Sequence, residues 1–233
     1  MAGLKTYLIT GTSRGIGLEL TKQLLEQGHN VIATARRPDD SIKLADLGET
    51  FRPRCTIEKL DVTSEDSVQC LVERLGPACT IDVLINNAGV FKNYETPLTQ
   101  VSTLDLVDMY NVNALGALRV TRALLPFVLK SSRPTIVNIS SGLGSISDNS
   151  GGKAYGYRMS KAALNMFTKT VAMDYERLIC VAVDPGWVRT EMGGPQATKG
   201  VEAAVHSLCR LLEDLKPDDS GMFLDTRGGE THW

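Results

Sequence analysis

No stretch of this chain is long and apolar enough to cross a membrane as a helix. The longest apolar runs, such as Val83-Leu-Ile and Ile179-Cys-Val-Ala-Val, fall far short of the ~20 residues a spanning helix needs. Long basic runs are missing too. With a formal net charge of -2 the sequence gives no electrostatic case for a nucleic-acid partner. Cysteine is sparse: Cys55, Cys70, Cys79, Cys180 and Cys209 are odd in number and none belongs to a C-x-x-C pair. That argues against a disulfide framework or a zinc site, and Cys180, inside an apolar run, reads as a small buried hydrophobe. His29, His206 and His232 share no metal-ligand spacing. Met1-Ala-Gly-Leu-Lys lacks the charged, apolar and cleavage-site succession of a signal peptide. The expectation is an intracellular, cytoplasmic protein with no membrane and no nucleic-acid partner.

What is present is an alternation of apolar runs and helical patterns. The 233 residues suffice for one sizeable core, and no internal repeat, low-complexity segment or linker divides them. Residues 1–233 are therefore read as one domain. Thr6-Tyr-Leu-Ile-Thr is a short strand that ends at Gly11-Thr-Ser-Arg-Gly-Ile-Gly, after which Leu18, Leu20, Leu24 and Leu25 mark a helix. Strand, glycine-rich turn and helix in that order form the context of a dinucleotide phosphate site. The glycines let the backbone approach a pyrophosphate, and the helix start offers free N–H groups. A second strand, Asn30 to Arg37, places Ala35, Arg36 and Arg37 where a ribose-binding acid would stand in a protein of this kind. Guanidinium groups suit a 2′-phosphate instead, so Arg36 together with Arg14 points to NADP over NAD. Arg37 can be read as a further phosphate partner or as an ordinary solvated arginine.

Farther on, Thr56 to Val62 gives a third strand with Asp61 at its end, and Thr63 reads as the N-cap of the next helix. Ile81 to Gly89 is a fourth strand running into Asn86-Asn87, whose amides can tie neighbouring strand ends, while Ala88 and Gly89 leave room for a ribose. Apolar residues at helical spacing from Thr103 to Lys130 predict the longest helix, with Asn111 and Asn113 inside it as exposed polar positions. Thr135 to Ile139 is a strand that delivers Ser141 to its end. Leu178 to Asp184 is another, followed by Pro185-Gly-Trp-Val, and Gly221 to Asp225 is a last short one. Strands alternating with helices imply a parallel, doubly wound α/β sheet of Rossmann type with helices on both faces.

Between Ser141 and a helix over 157–176 lies a polar, glycine-rich loop. That helix carries Tyr157 and Lys161, four apart and so on one face. A neighbouring ammonium favours the phenolate, so the phenol is expected to titrate below its ordinary ~10 and to serve as a proton donor or acceptor near neutral pH.

Thr10-Gly-Thr-Ser-Arg-Gly-Ile-Gly, Asn86-Asn-Ala-Gly, Asn113-Ala-Leu-Gly, Ser141, Tyr157-Arg-Met-Ser-Lys161 and Asp184-Pro-Gly, in this order, resemble the short-chain dehydrogenase/reductase family end to end. Pro185-Gly-Trp-Val-Arg-Thr-Glu-Met-Gly-Gly-Pro and the terminal Trp233 are similar to the carbonyl-reductase-like branch that includes sniffer and C-factor proteins. The resemblance implies an NADP(H)-dependent reductase of a small carbonyl compound, an aldehyde, ketone or quinone. Tyr157 would be the general acid, Lys161 its modulator and a ribose contact, Ser141 the holder of the substrate oxygen, and Asn113 the holder of a relay water. Only Tyr157, and not Tyr155, has a lysine four residues on, since position 159 is Met. The implied cofactor contacts are Gly11, Ser13, Arg14, Gly15, Ile16, Gly17, Arg36, Asp61, Val62, Asn87, Ala88, Gly89, Tyr157, Lys161, Pro185, Gly186, Val188 and Thr190. A homodimer or homotetramer is implied as well, and C-factor similarity leaves open a dinucleotide-binding signalling protein whose enzyme activity is incidental. The pocket is expected between the loop after Asn87, the segment 142–155 and the segment 187–197, with Trp187 and Met192 as apolar contacts.

Overall fold

The computed structural model describes residues 3–92 and 94–233. Its strands are β1 (Thr6–Thr10), β2 (Asn30–Ala35), β3 (Cys55–Lys59), β4 (Val83–Asn86), β5 (Thr135–Ile139), β6 (Ile179–Asp184), β7 (Val188–Arg189), β8 (Lys199–Gly200) and β9 (Phe223–Asp225). The helices are α1 (Gly15–Glu26), α2 (Ile42–Thr50), α3 (Glu65–Leu75), α4 (Thr103–Tyr110), α5 (Gly116–Val128), α6 (Tyr155–Asp174) and α7 (Val201–Asp214). Seven strands form one parallel sheet in the order β3-β2-β1-β4-β5-β6-β9. The chain runs outward from β1 to β3 and then returns to place β4 on the other side of β1. A crevice opens beyond the carboxyl ends of strands at such a reversal, and predicted site residues follow β1, β2, β3, β4, β5 and β6.

The inner strands are buried on both faces, which is why they read as nearly unbroken apolar runs. Alternation divides the core in two. Tyr7, Ile9, Val31, Ala33 and Val181 face Leu20 and Leu24 of α1 and Val205, Leu208 and Leu212 of α7. Leu8, Ile32, Leu84, Ile136 and Cys180 face Val68 and Leu71 of α3 and Val120, Leu124 and Val128 of α5. Removing a fully buried leucine such as Leu124, by substitution with Ala, is worth roughly 2–5 kcal/mol.

Two local expectations change. The predicted helix from Thr103 to Lys130 contains a π-helical turn, Asn111–Leu115, between α4 and α5. There the chain is packed from both sides: Asn113 turns inward, and a Cβ on Gly116 would stand 2.8 Å from Val62 Cγ2. The cap of α3 is Ser64, whose hydroxyl accepts from Ser67 N at 3.1 Å, because the Thr63 hydroxyl is already committed to Asp61 Oδ1 at 2.7 Å.

Candidate active site

The phosphate-loop region is built from backbone. Gly11 has a φ of 72°, in the left-handed region, and a Cβ there would come within 2.9 Å of Ala88 Cα. Gly17 is packed tighter still, with Asn87 Nδ2 and Gly11 O each 2.4 Å from where its Cβ would be. The turn therefore closes on the end of β4. Asn87 Nδ2 fastens it by donating to Thr10 O at 2.8 Å and Gly11 O at 3.1 Å, while the N–H groups of Asn87 and Ala88 donate to Thr10 Oγ1 at 3.0 Å. At the start of α1, Arg14 caps with no side-chain hydrogen bond and no acid lies in the first turn. Bare N–H groups at the positive end of a helix suit a diphosphate, so the residues present fit a dinucleotide. Ser13 is held through its carbonyl by Ser41 Oγ at 2.8 Å, and Ile16 packs against the core.

Of the arginines proposed for a 2′-phosphate, Arg36 is exposed at the end of β2 and acts on Asp61. Burial pushes the Asp61 carboxyl up, but hydrogen bonds from Thr63 and the charge of Arg36 outweigh it and hold the group below its ordinary range. Arg37 pairs with Asp40 at 3.1 Å. Arg14 pairs with Glu191 at 3.1 Å, joining the glycine turn to the segment after β6, where Thr190 also lies 3.5 Å from a Cβ built on Gly15. Pro185 and Val188 are buried in that segment, and Gly186 N donates to Asp184 Oδ1 at 2.9 Å. Val62 is buried against Gly116. Trp187 is exposed, with its Nε1 donating to Gly193 O at 2.8 Å, and Met192 is exposed beside it.

The reactive groups sit together beyond β5. Tyr157 is buried, in hydrogen-bonding reach of the Ser141 hydroxyl, and Lys161 Nζ lies 5.6 Å from the Tyr157 ring centroid. Helical spacing thus brings the pair together as expected, but the charge state differs. Burial raises the Tyr157 phenol to about 12, against a smaller lowering by the Ser141 hydrogen bond, and burial lowers Lys161 to about 8. The expected depression of the phenol is absent, because both groups are inside the protein and burial opposes the charge of each. Lys161 Nζ donates to Ile139 O at 2.7 Å.

Asn113 is not the exposed residue its helical position suggested but is fully buried. Its Nδ2 donates to Val90 O and to Ser160 Oγ, both at 2.9 Å, and its Oδ1 accepts from Val90 N at 2.8 Å. Ser160 Oγ in turn donates to Tyr157 O at 2.8 Å. A Cβ on Gly89 would lie 3.3 Å from Asn113 Oδ1 and 3.7 Å from Lys161 Nζ, so Gly89 keeps open the space these two face. Tyr155 lies apart, partly exposed beside Met109 and Lys92. Three residues here have no role in the sequence reading. Phe91 packs its ring 4.5 Å from that of Tyr157, Ser160 links Asn113 to the catalytic helix, and Arg158 contacts the serine loop. Ser160 and Arg158 lie within the Tyr157 to Lys161 motif, which was their only signal; Phe91 had none.

A half-buried serine with a buried tyrosine and lysine beyond a parallel sheet, and an uncapped glycine turn at the strand-order reversal, define a nucleotide-dependent oxidoreductase site. The chain belongs to the short chain dehydrogenase family, whose sequence model matches residues 5–200. Among individual proteins it is similar to the C-signal of Myxococcus xanthus, 42% identical over 159 residues that cover 66% of this chain and 95% of that protein. In three dimensions it is similar to the carbonyl reductase Sniffer of D. melanogaster, with a TM-score of 0.94 and 31% identity over 99% of this chain and 100% of that one. The NADPH-bound carbonyl reductase from chicken fatty liver gives a TM-score of 0.92 and 34% identity, with each chain covered in full at 100%.

Proposed function

We propose that this chain is an NADPH-dependent carbonyl reductase in which Tyr157 is the general acid. The observation that carries the reading is the hydrogen-bonding contact of buried Tyr157 with half-buried Ser141, with Lys161 beside them, at the carboxyl end of β5. The similarity to NADPH-bound carbonyl reductase supports it. The first-turn N–H groups of α1 would hold the diphosphate, Arg36 and, on leaving Glu191, Arg14 would hold the 2′-phosphate, and Asp61, Val62 and Asn87 to Gly89 would line the nucleoside, with Pro185, Gly186, Val188 and Thr190 completing the site. When bound, the cofactor supplies a hydride to the carbonyl carbon of an aldehyde, ketone or quinone. Ser141 orients the carbonyl oxygen, and Tyr157 gives that oxygen its phenolic proton. A phenol raised to about 12 keeps its proton at neutral pH, as a donor in reduction must. Lys161 contacts the ribose and steadies the charge left on Tyr157. Both Asn113 donors are committed to protein, so the remaining Oδ1 lone pair is its place for a relay water.

Substitution Tyr157→Phe is expected to lower kcat on a carbonyl panel by roughly 10²–10⁴-fold while NADPH still binds, and Tyr155→Phe is expected to retain activity. Protein that binds NADPH but oxidises none of it across aldehydes, ketones and quinones would refute the reading. The second reading, a dinucleotide-binding signalling protein, draws on the 42% identity to C-signal; full biological effect in Tyr157→Phe would favour it. The reading includes a cytoplasmic setting, supported by five cysteines that are all free. No helix among the described residues is long and apolar enough to cross a membrane. It also includes self-association: α4 and α6 pack side by side and expose Leu104, Val107, Met159, Met166 and Met173. Light scattering should give a dimer or tetramer that Met166→Glu weakens; a monomer at all concentrations would exclude it.

A further inference from the structure

The loop between Ser141 and α6 ends in an unusual backbone. Gly152, Lys153 and Ala154 have φ of 59°, 58° and 48°, so three successive residues are left-handed and two of them are not glycine. L side chains adopt this region rarely, and a run of it persists only where surrounding contacts impose it. Ala154 is buried beside Met109 and Tyr157, and its N–H donates to Tyr94 O at 3.1 Å. Gly152 N donates to Asn149 Oδ1 at 3.1 Å and Lys153 Nζ pairs with Glu95, but among the described residues only Arg158 reaches from these residues back to the start of the loop. Its Nε donates to Gly152 O at 2.9 Å and Lys153 O at 3.2 Å, and Nη1 donates to Leu143 O at 3.3 Å. One guanidinium therefore joins the beginning of the loop to its end. Leu143 carries the contact to the chemistry, because its N–H donates to Ser141 Oγ at 3.2 Å while its carbonyl is held by Arg158.

We infer that Arg158 is a positioning residue: its fork across the carbonyls of Leu143, Gly152 and Lys153 closes the loop and fixes Ser141 against Tyr157. A surface arginine meeting spare carbonyls would leave the reaction untouched if removed. A clamp would not, since the two hydroxyls it aligns must meet one substrate oxygen. Lysine can replace it only in part, because a single ammonium does not present a planar fork. The inference rests on the reading of Tyr157 as acid, and the test separates the two.

Arg158→Met keeps the stem and removes the donors. Its kcat on the best carbonyl substrate is expected to fall roughly 10- to 100-fold, as misplacement of reacting groups does, with the NADPH Kd within about twofold and Tm near that of the parent. Arg158→Lys should fall between them, and covers the case in which the methionine variant does not fold. Because the Ser141 hydrogen bond lowers the Tyr157 pKa, the alkaline limb of the kcat profile should move to higher pH in either variant. Lys153→Gly, which also removes the exposed pair with Glu95 and is therefore compared with its own single variant, should recover several-fold activity in the Arg158→Met background, since glycine adopts a left-handed φ readily. Parental kcat and pH profile in Arg158→Met and Arg158→Lys, with Tyr157→Phe inactive, would overturn the clamp and leave the acid in place. Parental activity in Tyr157→Phe as well would overturn the reading of the acid itself.

Discussion

Replacing Asn113 by Ala tests whether this residue is mainly a tie between the loop after β4 and the catalytic helix. The substitution removes the two bonds to the Val90 peptide and the one to Ser160. At about 1 kcal/mol net for each bond, the loss is about 3 kcal/mol. Two effects adjust the figure. Val90 is only half-buried, so water recovers part of its bonding, whereas the space left by a fully buried amide adds a cavity term. A range of about 2–4 kcal/mol follows, or a fall in Tm of roughly 5–15 °C for a domain of this length. Thermal melts by circular dichroism would measure it, and hydrogen exchange at the Val90 amide would locate it. Asn113→Asp has the same shape but places a carboxylate against Val90 O and Ser160. It should be at least as destabilised at pH 7 and should recover part of the loss as the acid protonates. A Tm within about 2 °C of the parent for Asn113→Ala would refute the tie, whatever happened to activity.

Two further outcomes follow from charge. Lys161 titrates at about 8 in the fold against an ordinary 10.5, so between those values the unfolded chain holds a proton that the folded one has released, and stability rises with pH. Tyr157, raised from 10.0 to about 12, has the opposite sign and removes stability above pH 10. In urea titrations without cofactor, the parent should therefore gain stability between pH 8 and 10 relative to Lys161→Met; parallel curves would contradict the burial of the ammonium. Arg36→Ala should weaken NADPH by roughly 10- to 100-fold, the worth of a charge-assisted bond, with NADH nearly unchanged. Equal losses for both cofactors, read by fluorescence titration, would mean that Arg36 does not meet the 2′-phosphate.

The sheet was legible because parallel strands covered on both faces must be apolar throughout. Leu8, Ile85, Val137 and Val181, all fully buried, lie in runs that ended at turn residues as expected. The glycine turn was legible for a similar reason, since steric exclusion leaves a record in residue type: only glycine fits 2.4 Å from Asn87 Nδ2. The π-helical turn at Asn111–Leu115 left no such record. It depends on Val62, far away in sequence, pressing on Gly116, and on which way Asn113 faces, and the apolar spacing there suits an unbroken α-helix. Capping failed by one residue at Thr63 because two adjacent hydroxyls could serve, and Asp61 claimed the first.

Tyr157 and Lys161 show where spacing stops being informative. Four residues on a helix place the ammonium by the ring, at 5.6 Å from its centroid, and the sequence supports that much. The sign of the net shift depends on depth, which spacing does not carry. Near the surface the cation would pull the phenol down; with both groups buried, loss of water opposes both charges and drives phenol and ammonium toward neutrality. The lysine then titrates at about 8, within reach of physiological pH, while the tyrosine stays protonated. A donor that holds its proton until a carbonyl oxygen needs it suits reduction, and oxidation of an alcohol would require the phenolate that this interior opposes. Any ligand charge that holds Lys161 in its ammonium form would stabilise that phenolate, so the same pair makes the direction of the reaction sensitive to what lies beside Lys161.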